Sequence, residues 1–145
     1  HMWSNFIRNY MPIRNEDNTT AAEELEFFLD SFLELYKNHK KLLCFNQFFN
    51  IYIRNEAISK RALNSYNEMV DQLAMRFHKT YVKGKNDKTL CTEVSENSMF
   101  LSIMHLMLAA ITRYAVGLAY EKDIESDNEL VLLKNMLMHE FSRKK

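Results

Sequence analysis

At 145 residues the chain is long enough for one domain with a real hydrophobic core, so disulfide or metal staples are not needed. Apolar residues make up 47% of it, with only two glycines and one proline, which excludes a sheet protein built on tight turns and favours an all-α fold. Nineteen basic side chains balance nineteen acidic ones, so the basic excess of a free-standing nucleic-acid binder is missing.

Trp3, Phe6, Ile7, Tyr10 and Met11 follow helical spacing, and Pro12 stops this short first helix. It starts on an aromatic stripe with no N-cap, as a helix cut from something longer would. His1-Met2 has the look of a cloning remnant, and no signal peptide is visible. Residues 14–18 read as a polar loop. Thr20 with Glu23 then predicts a capping box, and Leu25, Phe28, Leu29, Phe32, Leu35 and Tyr36 give the following helix one apolar stripe to about Asn38. Residues 41–55 are dense in aromatics (Phe45, Phe48, Phe49, Tyr52), and with no turn chemistry nearby they predict a buried helix. A long helix is expected over 56–82, where Ile58, Ala62, Tyr66, Met69, Leu73, Phe77 and Tyr81 repeat at three- and four-residue steps, with Gly84 as its stop. Residues 86–94 read as a loop.

Residues 95–122 form the most apolar helix of the chain. The longest unbroken apolar run, residues 106–111, falls far short of the ~20 residues a bilayer requires, so a core helix is expected and no membrane role. Phe100, Met104, Met107, Leu108, Ile111, Ala115 and Leu118 share one side; Ser102, Leu106, Ala109, Arg113, Val116 and Tyr120 lie opposite. Two apolar faces imply two partners, the helix's own domain and something else. In the last helix, introduced by Ser126 and Glu129 as a capping box, Leu130, Leu133, Leu137 and Phe141 make one face. Val131 and Met138 flank it on one side, Leu132 and Met136 on the other. That arc is wider than one chain needs, which points to a second copy. The expected architecture is a bundle of five main helices plus the short leading one, in a single domain spanning 1–145.

Convergent catalytic chemistry is not visible. His39, His78, His105 and His139 lack Glu or Asp three or four residues away, so the Glu-x-x-His pairs of di-iron bundles are absent, as are zinc spacings, a phosphate-cradling glycine loop and a nucleophile elbow. Cys44 and Cys91 follow no metal-ligand spacing and read as ordinary thiols of a reduced cytoplasmic protein. No metal and no cofactor are expected, and no enzyme activity. Methionines and tyrosines at helical spacing, in contrast, are the materials of an adaptable apolar pocket with a few orienting polar tips. Phe48, Tyr52, Tyr66, Met69, Met104 and His105 are the predicted lining, with Tyr52, Tyr66 and His105 as the orienting groups. Plain core is the competing expectation for each.

The run from Glu24 through Leu25, Phe28, Phe32 and Leu35 to Tyr36, followed by Asn38-His39-Lys40-Lys41-Leu42-Leu43-Cys44-Phe45, resembles the first regulatory-domain helices of TetR/AcrR-type transcriptional regulators. Residues 100–120 and 130–141 resemble that family's closing helix pair. The resemblance implies the effector-sensing and dimerisation domain of a ligand-controlled repressor, with the N-terminal helix-turn-helix domain absent. It implies a small apolar or amphiphilic effector and a homodimer built as a four-helix bundle from the last two helices of each copy. The expected dimer contacts are Ala109, Arg113, Val116, Leu130, Leu133, Leu137 and Phe141, and DNA would be met only through the missing domain. A helical protein–protein adaptor and a small helical enzyme are the alternatives.

Overall fold

The capping box expected at Thr20 forms. In the computed structural model, which describes residues 18–44, 60–117 and 126–143 (backbone only at 60–63, 65, 66, 126 and 127), Thr20 Oγ1 accepts from Glu23 N–H at 3.1 Å. The Glu23 carboxylate accepts in turn from Thr20 N–H at 3.4 Å. From this start α1 runs over Ala21–Asn38, and a helical turn follows at 40–44. Helix α2 covers Lys60–Asp87, α3 covers Glu96–Ala115 and α4 covers Ser126–Phe141. The protein is all-α; among the described residues the only β-type feature is an isolated antiparallel bridge between Leu90 and Ser142. The expected leading helix at 3–11 and most of the aromatic segment 41–55 lie outside the described residues.

Two helix ends differ from expectation, and both turn on glycine. Gly84 does not stop α2, which continues to Asp87 and closes at Lys88, a residue in the left-handed region (φ 63°) whose N–H bonds Gly84 O at 2.9 Å. Gly84 serves close approach instead: a Cβ there would sit 2.6 Å from Leu90 Cδ1 and 2.7 Å from Leu90 Cβ. Helix α3 stops at Ala115, short of the expected 122. Gly117 takes φ 78° just beyond it, and Val116 and Gly117 N–H close the last turn on Thr112 O and Tyr114 O. The middle of α3, Met104–Leu108, is widened towards π-helical geometry. The dihedrals at its borders stay α-helical and Ala109 N–H still bonds His105 O, so the face pattern carries through without a register break.

The core is an aromatic chain across three helices. Phe77 of α2 lies 6.0 Å from Phe28 of α1 and 5.5 Å from Phe100 of α3, ring centre to ring centre, and Phe28 meets Phe32 edge-on at 5.3 Å. Leu25, Leu29, Leu35, Met99, Ile103, Met107 and Ile111 fill the space around it, fully buried. Helix α4 closes the bundle with Leu130, Leu137 and Phe141.

One end of the bundle is heavily cross-tied. The Asp87 carboxylate accepts from Ala21 N–H at 2.8 Å and from Thr89 N–H and Oγ1 at 2.9 and 2.7 Å, and Thr89 Oγ1 accepts from Ala22 N–H at 3.0 Å. With Glu23 N–H on Thr20 Oγ1 and Thr20 N–H on the Glu23 carboxylate, all four otherwise orphaned donors of the first turn are satisfied. The same end joins α4 to the 88–94 loop, because Cys91 N–H reaches Phe141 O at 2.7 Å and Arg143 N–H reaches Thr89 O at 2.6 Å. That loop leads directly into α3, so α4 runs antiparallel to α3. Asp87→Ala, which strips α1 of this distant cap, should cost about 1–2 kcal/mol of unfolding free energy in urea titration. A change within error would mean that water replaces the carboxylate without loss.

Candidate functional site

The expected pocket lining divides three ways. Met69 and Met104 are buried in the core, as their place on the inner stripes of α2 and α3 requires. Phe48 and Tyr52 lie outside the described residues, and of Tyr66 only the backbone, within α2, is described. His105 corrects the prediction: it is exposed, since on α3 it follows Leu101 and precedes Ala109 at four-residue steps along the outward side.

Among the expected contacts between copies, the stripe on α4 needs a similar correction. Leu130, Leu137 and Phe141 are buried inside the chain itself and Leu133 packs against that core, so this stripe of α4 is spent within one copy. Any single helix needs one such stripe to dock at all. Ala109 and Arg113 are exposed, and Val116 is half-buried. What remains apolar and open lies on the flanks: Leu132 and Met136 are each 58% exposed, Val131 43%, Leu106 49% and Leu101 38%. These side chains sit on the outward sides of α3 and α4, which pack against each other. The width of the apolar arc in the sequence signalled such a surface, but not which part of the arc would form it.

By length and composition, Glu96–Ala115 is the one described helix apolar enough to cross a membrane. Its inner side, from Met99 and Ile103 through Met107 to Ile111, is consumed by the core, and its outer side mixes leucines with His105 and Arg113. The Thr80 and Thr112 hydroxyls are buried without a hydrogen-bond partner, whereas buried Ser31 returns its hydroxyl to Phe27 O at 3.0 Å.

Between α1 and α4 lies an open groove of about 350 Å³, lined by Ala22, Glu23, Glu26, Phe27, Asp30 and Met138. Its carboxylates are already engaged. Glu23 closes the capping box, and Lys134 bridges Asp30 at 2.6 Å and Glu26 at 3.8 Å.

The titratable groups at the cross-tied end are structural. Tyr81 donates its hydroxyl to Val94 O at 2.6 Å, and burial, with Glu96 nearby, pushes its phenol above the usual range. His78 Nδ1 meets Glu96 Oε1 at 2.7 Å, an exposed link from α2 to the first turn of α3. Glu24 is 1% exposed and pairs with Lys83 Nζ at 3.2 Å. Burial raises the Glu24 carboxyl above its ordinary range, Lys83 opposes that shift, and Asp87 adds to it.

Cys44 is exposed, with Sγ 3.8 Å from Ala115 O, while half-buried Cys91 takes a 3.6 Å contact from Arg143 Nη2, so the two thiols do not meet. Among the described residues no three His, Cys, Asp or Glu side chains converge to hold a metal ion. The chain matches no family model, no curated protein and no solved structure.

Proposed function

We propose that this chain is the self-associating, effector-sensing domain of a TetR-type transcriptional regulator. The observation that carries the reading is the apolar outward surface of α3 and α4, with Leu101, Leu106, Val131, Leu132 and Met136 uncovered on two adjacent helices. Side chains of this size left in water on neighbouring helices mark a surface meant to be covered. The resemblance of the sequence to that family supports the reading, and a second copy related by a two-fold axis would complete a four-helix bundle from two α3–α4 pairs. A small apolar or amphiphilic effector would act by binding two arrangements of the bundle with different affinity, since without that difference it shifts nothing.

Light scattering tests this. The unmodified chain should be a dimer burying about 2,000 Å² or more in total. Leu132→Glu with Met136→Glu should give a folded monomer, because neither side chain contributes to the core. A stable monomer of the unmodified chain would sink the reading and favour the adaptor alternative. Sequence-specific DNA binding by this chain alone would overturn the placing of the DNA reader elsewhere.

A further inference from the structure

Helix α1 carries a line of carboxylates along one side. Glu23, Glu26, Asp30 and Glu34 follow one another at three- and four-residue steps, and no Lys, Arg or His precedes Lys37 in the helix. Glu23, in the first turn, gains from the helix dipole. Glu26, Asp30 and Glu34 lie beyond that turn at four-residue steps, where like charges repel and weaken a helix. Within one chain the repulsion is relieved only in part. Among the described residues Lys134 is the one cation that reaches the line, at Asp30 and Glu26, and Glu34 accepts from the neutral Asn38 side chain.

Beside this line runs the groove between α1 and α4. Ala22 and Phe27 of α1 and Met138 of α4 supply its apolar walls, and Glu23, Glu26 and Asp30 supply its charge. The two helices are antiparallel here, since Ala22 shares the groove with Met138 and Asp30 pairs with Lys134. From Ala22 to Asp30 the groove extends ~12 Å along α1, and Glu34 takes the charge about one turn further.

We propose that this groove docks a basic amphipathic helix of a partner protein. One apolar side chain of the partner rests on Phe27 and Met138, and its cations lie along Glu26, Asp30 and Glu34. Charge complementarity decides the occupant, because a helix with cations at four-residue steps repeats the spacing of these carboxylates. Lys134 already seats an ammonium 2.6 Å from Asp30 Oδ1 and leaves the line negative. Glu26 is 53% and Asp30 45% exposed, and a carboxylate accepts more hydrogen bonds than Lys134 supplies. The proposal does not depend on the regulator reading, and the surface is a separate one. Met138 flanks the inner stripe of α4 on one side, Leu132 and Met136 on the other.

Fluorescence anisotropy of a labelled lysine–leucine peptide of about 18 residues, long enough to be helical, tests the docking on the full chain. Saturable one-to-one binding is expected, weakening as salt is raised. Glu26→Gln with Asp30→Asn and Glu34→Gln should weaken it about tenfold, the worth of a few exposed ion pairs. Glu68→Gln with Asp71→Asn and Glu140→Gln removes the same charge from exposed sites elsewhere and should change it less than about twofold. Leu132→Ser with Met136→Ser should bind the peptide as the unmodified chain does, which separates the groove from the surface assigned to a second copy. Amide NMR shifts on adding the peptide should concentrate at residues 22–34 and 134–138, and they supply the answer if the first triple variant fails to fold. Equal weakening in both triple variants, shifts spread over the surface, or no saturable binding would overturn the proposal. So would two other occupants: tetraethylammonium displacing the peptide at equal concentration, or self-association abolished by the first triple substitution.

Discussion

Replacing Phe77 by alanine should remove about 3–5 kcal/mol of unfolding free energy, a large part of the about 5–15 kcal/mol that a domain of this kind possesses. The ring is 1% exposed and lies at the crossing of three helices, near Phe28 of α1, Phe100 of α3 and Tyr81 of its own helix. Truncation removes the apolar area and leaves a cavity that the packed helices close only in part. Phe77→Leu refills most of the volume and should cost about half as much. Urea titration of the three proteins measures this directly. A loss below about 1 kcal/mol for the alanine variant would show that the ring is not at the centre of the core.

Gly84→Ala should be the more surprising result. Inside an exposed helix this exchange stabilises by up to about 1 kcal/mol; here it should destabilise by about 1–3 kcal/mol. The new methyl would meet Leu90 Cβ and Cγ at 2.7 Å, and these atoms are not the free end of a flexible side chain. Leu90 is 2% exposed, and its backbone is bridged to Ser142 while the next residue is bonded to Phe141. Retreat from the methyl would therefore have to move the end of α4. A double-mutant cycle isolates the cause: in a Leu90→Gly background, which removes Leu90 Cβ as well as the rest of the side chain, the Gly84→Ala penalty should largely vanish. If Gly84→Ala raises the melting temperature, the close approach of loop and helix is disproved.

Gly84 also shows where sequence reading stops. A glycine between two lysines near the end of an apolar period looks like a helix stop, and nothing local distinguishes it from a glycine that makes room for a leucine on a returning loop. Gly117, by contrast, gives no stop signal in the sequence, because the hydrophobic pattern runs past it to Tyr120. Features decided within four residues were readable. The Thr20–Glu23 capping box is one, and the inner stripes of α1 and α2 are others, since their spacing alone fixes which side is apolar. The side a helix turns towards its neighbours is a property of the whole fold, and there the reading failed in two places. His105 lies outward on α3, and α4 spends Leu130, Leu137 and Phe141 on its own core, leaving Leu132 and Met136 uncovered. Of the pocket, Met69 and Met104 were correctly marked as apolar and inward, because buried methionines in a core and in a cavity wall obey the same period.

The cap that Asp87 supplies to α1 has a kinetic meaning. Asp87 and Ala21 stand 66 residues apart, so this bond cannot form until most of the chain between them has been drawn into a loop. An ordinary N-cap forms along with its helix; this one has to wait for α2 to dock. The first turn of α1 should therefore be among the last parts to set during folding and the first to loosen. Asp87→Ala, which weakens the fold at equilibrium, should do so by speeding unfolding while leaving the refolding rate nearly unchanged.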